Sequence, residues 1–64
     1  MENEEIVNKH IGRNIASYRR AANFTQAELA QKINYSDKSV SKWESGNGVP
    51  DVYVLMQLAD LFGV

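Results

Sequence analysis

The chain has 64 residues, 44% apolar and 23% charged, with one proline, no cysteine and a formal net charge of −1. A chain this short buries only about 60% of the surface its unfolded form exposes, so residues 1–64 make a single domain. Without disulfides or thiolate ligands, its stability must come from helix packing or from a partner. The longest apolar run, Val52 to Met56, is far below the ~20 residues of a membrane span, and the acidic start with Glu2, Glu4 and Glu5 is unlike a signal peptide. The expectation is a small cytoplasmic globular domain with no membrane partner.

The charge is unevenly spread. Glu2, Glu4, Glu5, Asp51 and Asp60 leave the two ends at −5, while Lys9, Arg13, Arg19, Arg20, Lys32, Lys38 and Lys42 against Glu28, Asp37 and Glu44 leave the middle at +4. A basic middle is compatible with a polyanionic partner, and equally with a set of solvated helix faces.

Apolar periodicity divides the chain into four helices and shows no strand pattern. Val7, Ile11, Ile15, Tyr18 and Ala22 step by three and four, which predicts a first helix over about 3–22 with those residues inward. Thr25-Gln26-Ala27-Glu28 has the spacing of a capping box, starting a second helix over 26–33 whose inner face is Leu29, Ala30 and Ile33. Asn34 then fits the left-handed position that ends many helices. Ser36 is a good N-cap for a third helix over 37–45, rooted by Val40 and Trp43 and ended by Gly46-Asn47-Gly48. Asp51 caps a fourth helix over 52–62, which carries Val52, Leu55, Leu58, Ala59 and Phe62 towards the core and stops at Gly63.

The fourth helix is apolar over roughly 220° of its circumference, whereas a surface helix needs about 100°. Val54, Leu61 and Met56 lie beyond the edges of its expected core face. The excess predicts a cover, either a following element or a second subunit.

The second and third helices, joined by a short turn, form a helix-turn-helix in outline, with Leu29, Ile33, Tyr35, Val40 and Trp43 inside. The outward arc of the third helix, about 140° wide at 100° per residue, holds Asp37, Lys38, Ser41, Lys42 and Ser45. Such a face can enter the major groove of DNA, where either lysine can donate to guanine or to a phosphate. Asp37 can accept from cytosine or simply favour the helix N-terminus, and Ser39 and Ser41 are short donors. Gln26, in the first turn of the second helix, stands where free backbone N–H groups attract a phosphate.

These residues resemble a known family. Tyr18-Arg19, the segment Thr25 to Ala30, the segment Ser36 to Gly46, Pro50, and Leu61-Phe62-Gly63-Val64 together look like the Cro and phage-repressor (XRE) helix-turn-helix domain. The resemblance implies a lambda-repressor-like, all-α bundle of five helices. The fifth would begin about where this chain stops, so four are expected here. It also implies a transcriptional regulator, often a repressor, whose third helix reads double-stranded DNA and which often works as a dimer on an operator with two half-sites. The dimer contact is expected through helix 52–62 or through sequence beyond Val64. By position, the resemblance makes Gln26 a phosphate ligand, Asp37, Lys38 and Lys42 base readers, and Arg19 with Glu44 an internal salt bridge. Ser36, Ser39, Ser41 and Asn47 complete the expected DNA-binding set. Where relatives often carry Lys or Arg after the third helix, this chain has Asn47-Gly48-Val49, so modest affinity with a shallow salt dependence is expected.

A catalytic reading has no support in the sequence. His10 is the single histidine and, without cysteine, has no partners for a zinc set. The serines lack a His-Asp pairing, and Gly46-Asn47-Gly48 is not a phosphate-binding loop. No enzyme, cofactor or metal is expected; the rival reading is a protein-interaction module such as the antitoxin of a toxin-antitoxin pair.

Overall fold

Four helices are present in the computed structural model, which describes residues 3–64: α1 (Glu4–Ala21), α2 (Gln26–Lys32), α3 (Asp37–Glu44) and α4 (Val52–Phe62). Met1 and Glu2, part of the expected domain and of its acidic start, lie outside the described residues. The helices are one residue shorter than expected at several ends because Asn3, Ala22, Ile33 and Ser45 act as caps.

Every helix starts on a side chain that accepts a backbone N–H: Asn3 from Glu5, Thr25 from Glu28, Ser36 from Ser39 and Asp51 from Val54. A cap of this kind contributes about 1 kcal/mol. At Thr25 the box is reciprocal, since its own N–H donates to Glu28 Oε1 at 2.8 Å. That backbone hydrogen bond, with the one from the Thr25 side chain, holds the Glu28 carboxyl below its ordinary range. Asn34 has φ 61°, as its position after α2 predicts, and Asn23 makes the same left-handed exit after α1 with φ 62°.

The core joins all four helices through Ile15, Leu29, Ala30, Ile33, Val40, Trp43, Val54 and Leu58, with Ile11, Phe24 and Phe62 packed against it. On α1 the inward face is turned from the expected one. Gly12, Ile15 and Ala16 are buried, whereas Val7, Tyr18 and Ala22 are exposed. The cause is close approach to the end of α3: a Cβ at Gly12 would drive into the Trp43 carbonyl oxygen and stand 3.0 Å from that of Glu44. The same face carries Arg19 towards α3.

On α4 the face is also shifted. Val54, expected outside the core, is 1% exposed, and Val52, expected inside it, is 73% exposed. Within α4 the buried residues are Val54 and Leu58, four apart on one face of the helix. Tyr35 is a further correction. It is 42% exposed, its ring lying tilted over Trp43 with centroids 5.3 Å apart, so it covers the core without entering it.

Candidate nucleic-acid interface

Burial of Val40 and Trp43 roots α3 and leaves Asp37, Lys38, Ser41, Lys42 and Ser45 together on its exposed side. Among the described residues the ion pairs are Lys9–Glu5 and Arg19–Glu44, so neither Lys38 nor Lys42 is committed to a carboxylate. Ser36 and Ser39 stand at the start of α3 with their hydroxyls 3.1 Å apart. At its other end Ser45 Oγ donates to the Lys42 carbonyl at 2.9 Å and accepts from Asn47 Nδ2 at 3.1 Å. Asn47 is therefore exposed but held, and the loop after α3 is fixed to the helix that it follows.

The opposite flank of α3 is built around Glu44. Arg19 meets it with two donors, Nε to Oε2 at 2.7 Å and Nη2 to Oε1 at 3.0 Å, and its Nη1 donates to the Phe24 carbonyl at 2.9 Å. The two side chains are only 12% and 8% exposed. Burial pushes the Glu44 carboxyl up, but hydrogen bonds from Arg19 and Gln26, with the charges of Arg19 and Arg20, outweigh it and leave the group below its ordinary range. The hydrogen bond to Glu44 raises Arg19 in turn, so the pair is ionised at neutral pH.

Gln26 belongs to the same cluster. Its Nε2 donates to Glu44 Oε1 at 3.0 Å, a link that spans 18 residues and that sequence spacing does not signal. A side-chain amide nitrogen carries two N–H groups, so one remains for an outside acceptor beside the start of α2. The expected DNA-facing residues thus fall in four places: α3 with Asp37, Lys38, Ser41 and Lys42 on its exposed face and half-buried Ser39 beside them; the loop with Asn47; the α2 start with Gln26; and the turn before α3 with Ser36.

A separate apolar groove of about 220 Å³ runs between α1 and α4, lined by Ile11, Ile15, Tyr18, Leu58, Phe62 and Val64. Its rim is the stacked pair Tyr18 and Phe62, with centroids 5.6 Å apart. Among the described residues no helix is long and apolar enough to cross a membrane.

A helix-turn-helix family model matches residues 15–64, which contain the whole constellation. The chain belongs to that family. It is 44% identical over 46 residues, 72% of its length, to the cryptic phage CTXphi transcriptional repressor RstR of Vibrio cholerae, of which the match covers 41%. It is 39% identical over 46 residues to the transcriptional activator BcrR of Enterococcus faecalis, covering 72% of the chain and 22% of the relative. Over 54 residues, 84% of the chain, it is 32% identical to the transcriptional regulator ImmR of Bacillus subtilis, with 42% of that protein covered. The chain thus spans less than half the length of these curated relatives, and their names describe regulators of transcription, not enzymes or antitoxins.

Proposed function

We propose that this domain binds double-stranded DNA sequence-specifically as part of a transcriptional regulator, with α3 in the major groove. The observation that carries this reading is the exposed face of α3, where two lysines, in no ion pair among the described residues, and short polar side chains stand on a helix rooted by Val40 and Trp43. Gln26 and Asn47 lie on its flanks, suited to contact backbone phosphates and fix register, while Asp37, Lys38 and Ser41 are proposed to meet base edges and Lys42 a base edge or a phosphate. Ser36 and Ser39 add hydroxyls at the start of α3. The family and the regulators named above support this reading over the antitoxin alternative. A regulator of this kind works in the cytoplasm.

The operator is proposed to have two half-sites bound by a homodimer. Support comes from α4, where Val52 and its neighbours Tyr53 and Met56 remain exposed. The DNA reading is tested by selecting duplexes from a randomised pool and measuring affinity for the selected sequence against scrambled competitor. A reproducible motif with preference of 10³-fold or more is typical of specific binding; equal affinity for all duplexes would overturn it.

A further inference from the structure

Lys38 and Lys42 are one turn apart, yet their surroundings differ. The loop after α3 folds back on Lys42: the Asn47 N–H donates to the Lys42 carbonyl at 3.0 Å, bringing Gly48 beside the Lys42 side chain. The place where Gly48 would carry a Cβ lies 3.6 Å from Lys42 Cε and 3.7 Å from both Cδ and Cγ. The aliphatic stem is thus laid along the loop. It forms one wall of a groove of about 370 Å³, shared with Tyr35, Ser39, Asn47 and Asp51, to which Lys38 does not contribute.

The helix wheel gives the same asymmetry. At 100° per residue, Lys42 lies roughly 70° from the centre of the outward arc and Lys38 roughly 30° from it. A helix with its side chains is about 10–12 Å across and the major groove about 12 Å wide, so a docked helix has a phosphate backbone on each flank. Gln26 stands on one flank, with Glu44. Lys42 and its groove stand on the other. Asp51, which also lines that groove, is engaged as the cap of α4, its Oδ1 accepting from the N–H of Val54 at 2.9 Å.

We infer that Lys42 grips a backbone phosphate on the loop side of α3, and that base reading by lysine falls to Lys38 alone. This rests on the DNA reading above and assigns one lysine to affinity and the other to sequence.

The test compares wild type, Lys42→Met, Lys42→Arg and Lys38→Met on the selected duplex and on its single-base-pair variants, each titrated with salt. Methionine keeps the stem against Gly48 and removes only the ammonium, and unchanged circular-dichroism melting verifies the fold. Lys42→Met is expected to weaken every duplex by the same factor and to flatten the salt slope by about one, with Lys42→Arg restoring the slope. Lys38→Met is expected to lose about 5- to 150-fold, concentrated at one base pair. A Lys42→Met protein with an unchanged slope, or with altered preference at one base pair, would overturn the assignment. A wild type that prefers no duplex defeats the DNA reading itself, which is a different result from either.

Discussion

Gln26 at the start of α2 and Glu44 at the end of α3 share a hydrogen bond of 3.0 Å, made to the same carboxylate oxygen that receives Arg19 Nη2 at 3.0 Å. A carboxylate beside the position proposed to bind a phosphate would normally repel the ligand. Here Arg19 offsets its charge, and Glu44 serves as an acceptor that fixes one N–H of Gln26.

Breaking the pair and replacing it are expected to differ. Glu44→Ala strands a largely buried guanidinium and should cost about 3 kcal/mol, at the low end for a broken buried pair because some solvent reaches it. Replacing both partners by apolar residues, Arg19→Met with Glu44→Leu, should recover most of that loss in urea melts. The same double variant should lose the contribution of Gln26 to DNA affinity: Gln26→Ala weakens wild type and leaves the double variant unchanged. Equal effects in both backgrounds would show that Gln26 acts without Glu44.

Acid should loosen the same cluster. The Glu44 carboxyl is held below its ordinary value of 4.5, and that of Glu28 is shifted in the same direction. Between the folded and unfolded values the unfolded chain binds more protons, so stability rises with pH there. The contribution is full above about pH 4.5 and is lost as pH falls through the lower folded values. Arg19, whose guanidinium is held charged more firmly still by Glu44, has no effect in this range. Melting temperature followed from pH 7 to pH 2.5 should therefore fall more steeply for wild type than for Glu44→Gln, with the double variant Glu28→Gln/Glu44→Gln flatter still.

Gly12 is the tightest point of the α1–α3 contact. An alanine there would meet the Trp43 carbonyl oxygen, which belongs to backbone and cannot swing aside. Overpacking of this kind typically costs about 1–3 kcal/mol, against a gain of roughly 1 kcal/mol when glycine becomes alanine inside a helix. Gly12→Ala is thus expected to destabilise the domain in chemical denaturation, where helix propensity alone would have it stabilise.

Local signals were the most legible part of the sequence. Ser36, Asp51 and the Thr25–Glu28 box act on groups within three residues, and they located the starts of α2, α3 and α4. The alternation of Val40 and Trp43 with Lys38, Ser41 and Lys42 likewise oriented α3, because one buried tryptophan dominates so short a helix. The inward faces of α1 and α4 were misread for one reason: periodicity counts large apolar residues. It passed over Gly12 and Ala16, which are inward because they are small, and on α4 it turned Val52 inward where Val54 is the buried residue. The tie from Gln26 to Glu44 was invisible because it depends on how two helices meet in space.

The register of α4 also changes which residues need a cover. Val54 lies in the core, so the surplus apolar surface falls on Val52, Tyr53 and Met56, adjacent on one side of the helix and 66% exposed or more. If this surface is the subunit contact, Met56→Glu should leave thermal stability unchanged, because the side chain packs on little within its own domain. The same substitution should shift the chain to monomer in sedimentation equilibrium, since two glutamates brought to an apolar two-fold contact would be desolvated without partners. Affinity for a duplex with two half-sites should fall by a larger factor than affinity for a single half-site, because only the former gains from linkage of two binding events. A wild type that stays monomeric at millimolar concentration, or a Met56→Glu variant that associates as wild type does, would remove this face of α4 from any dimer contact.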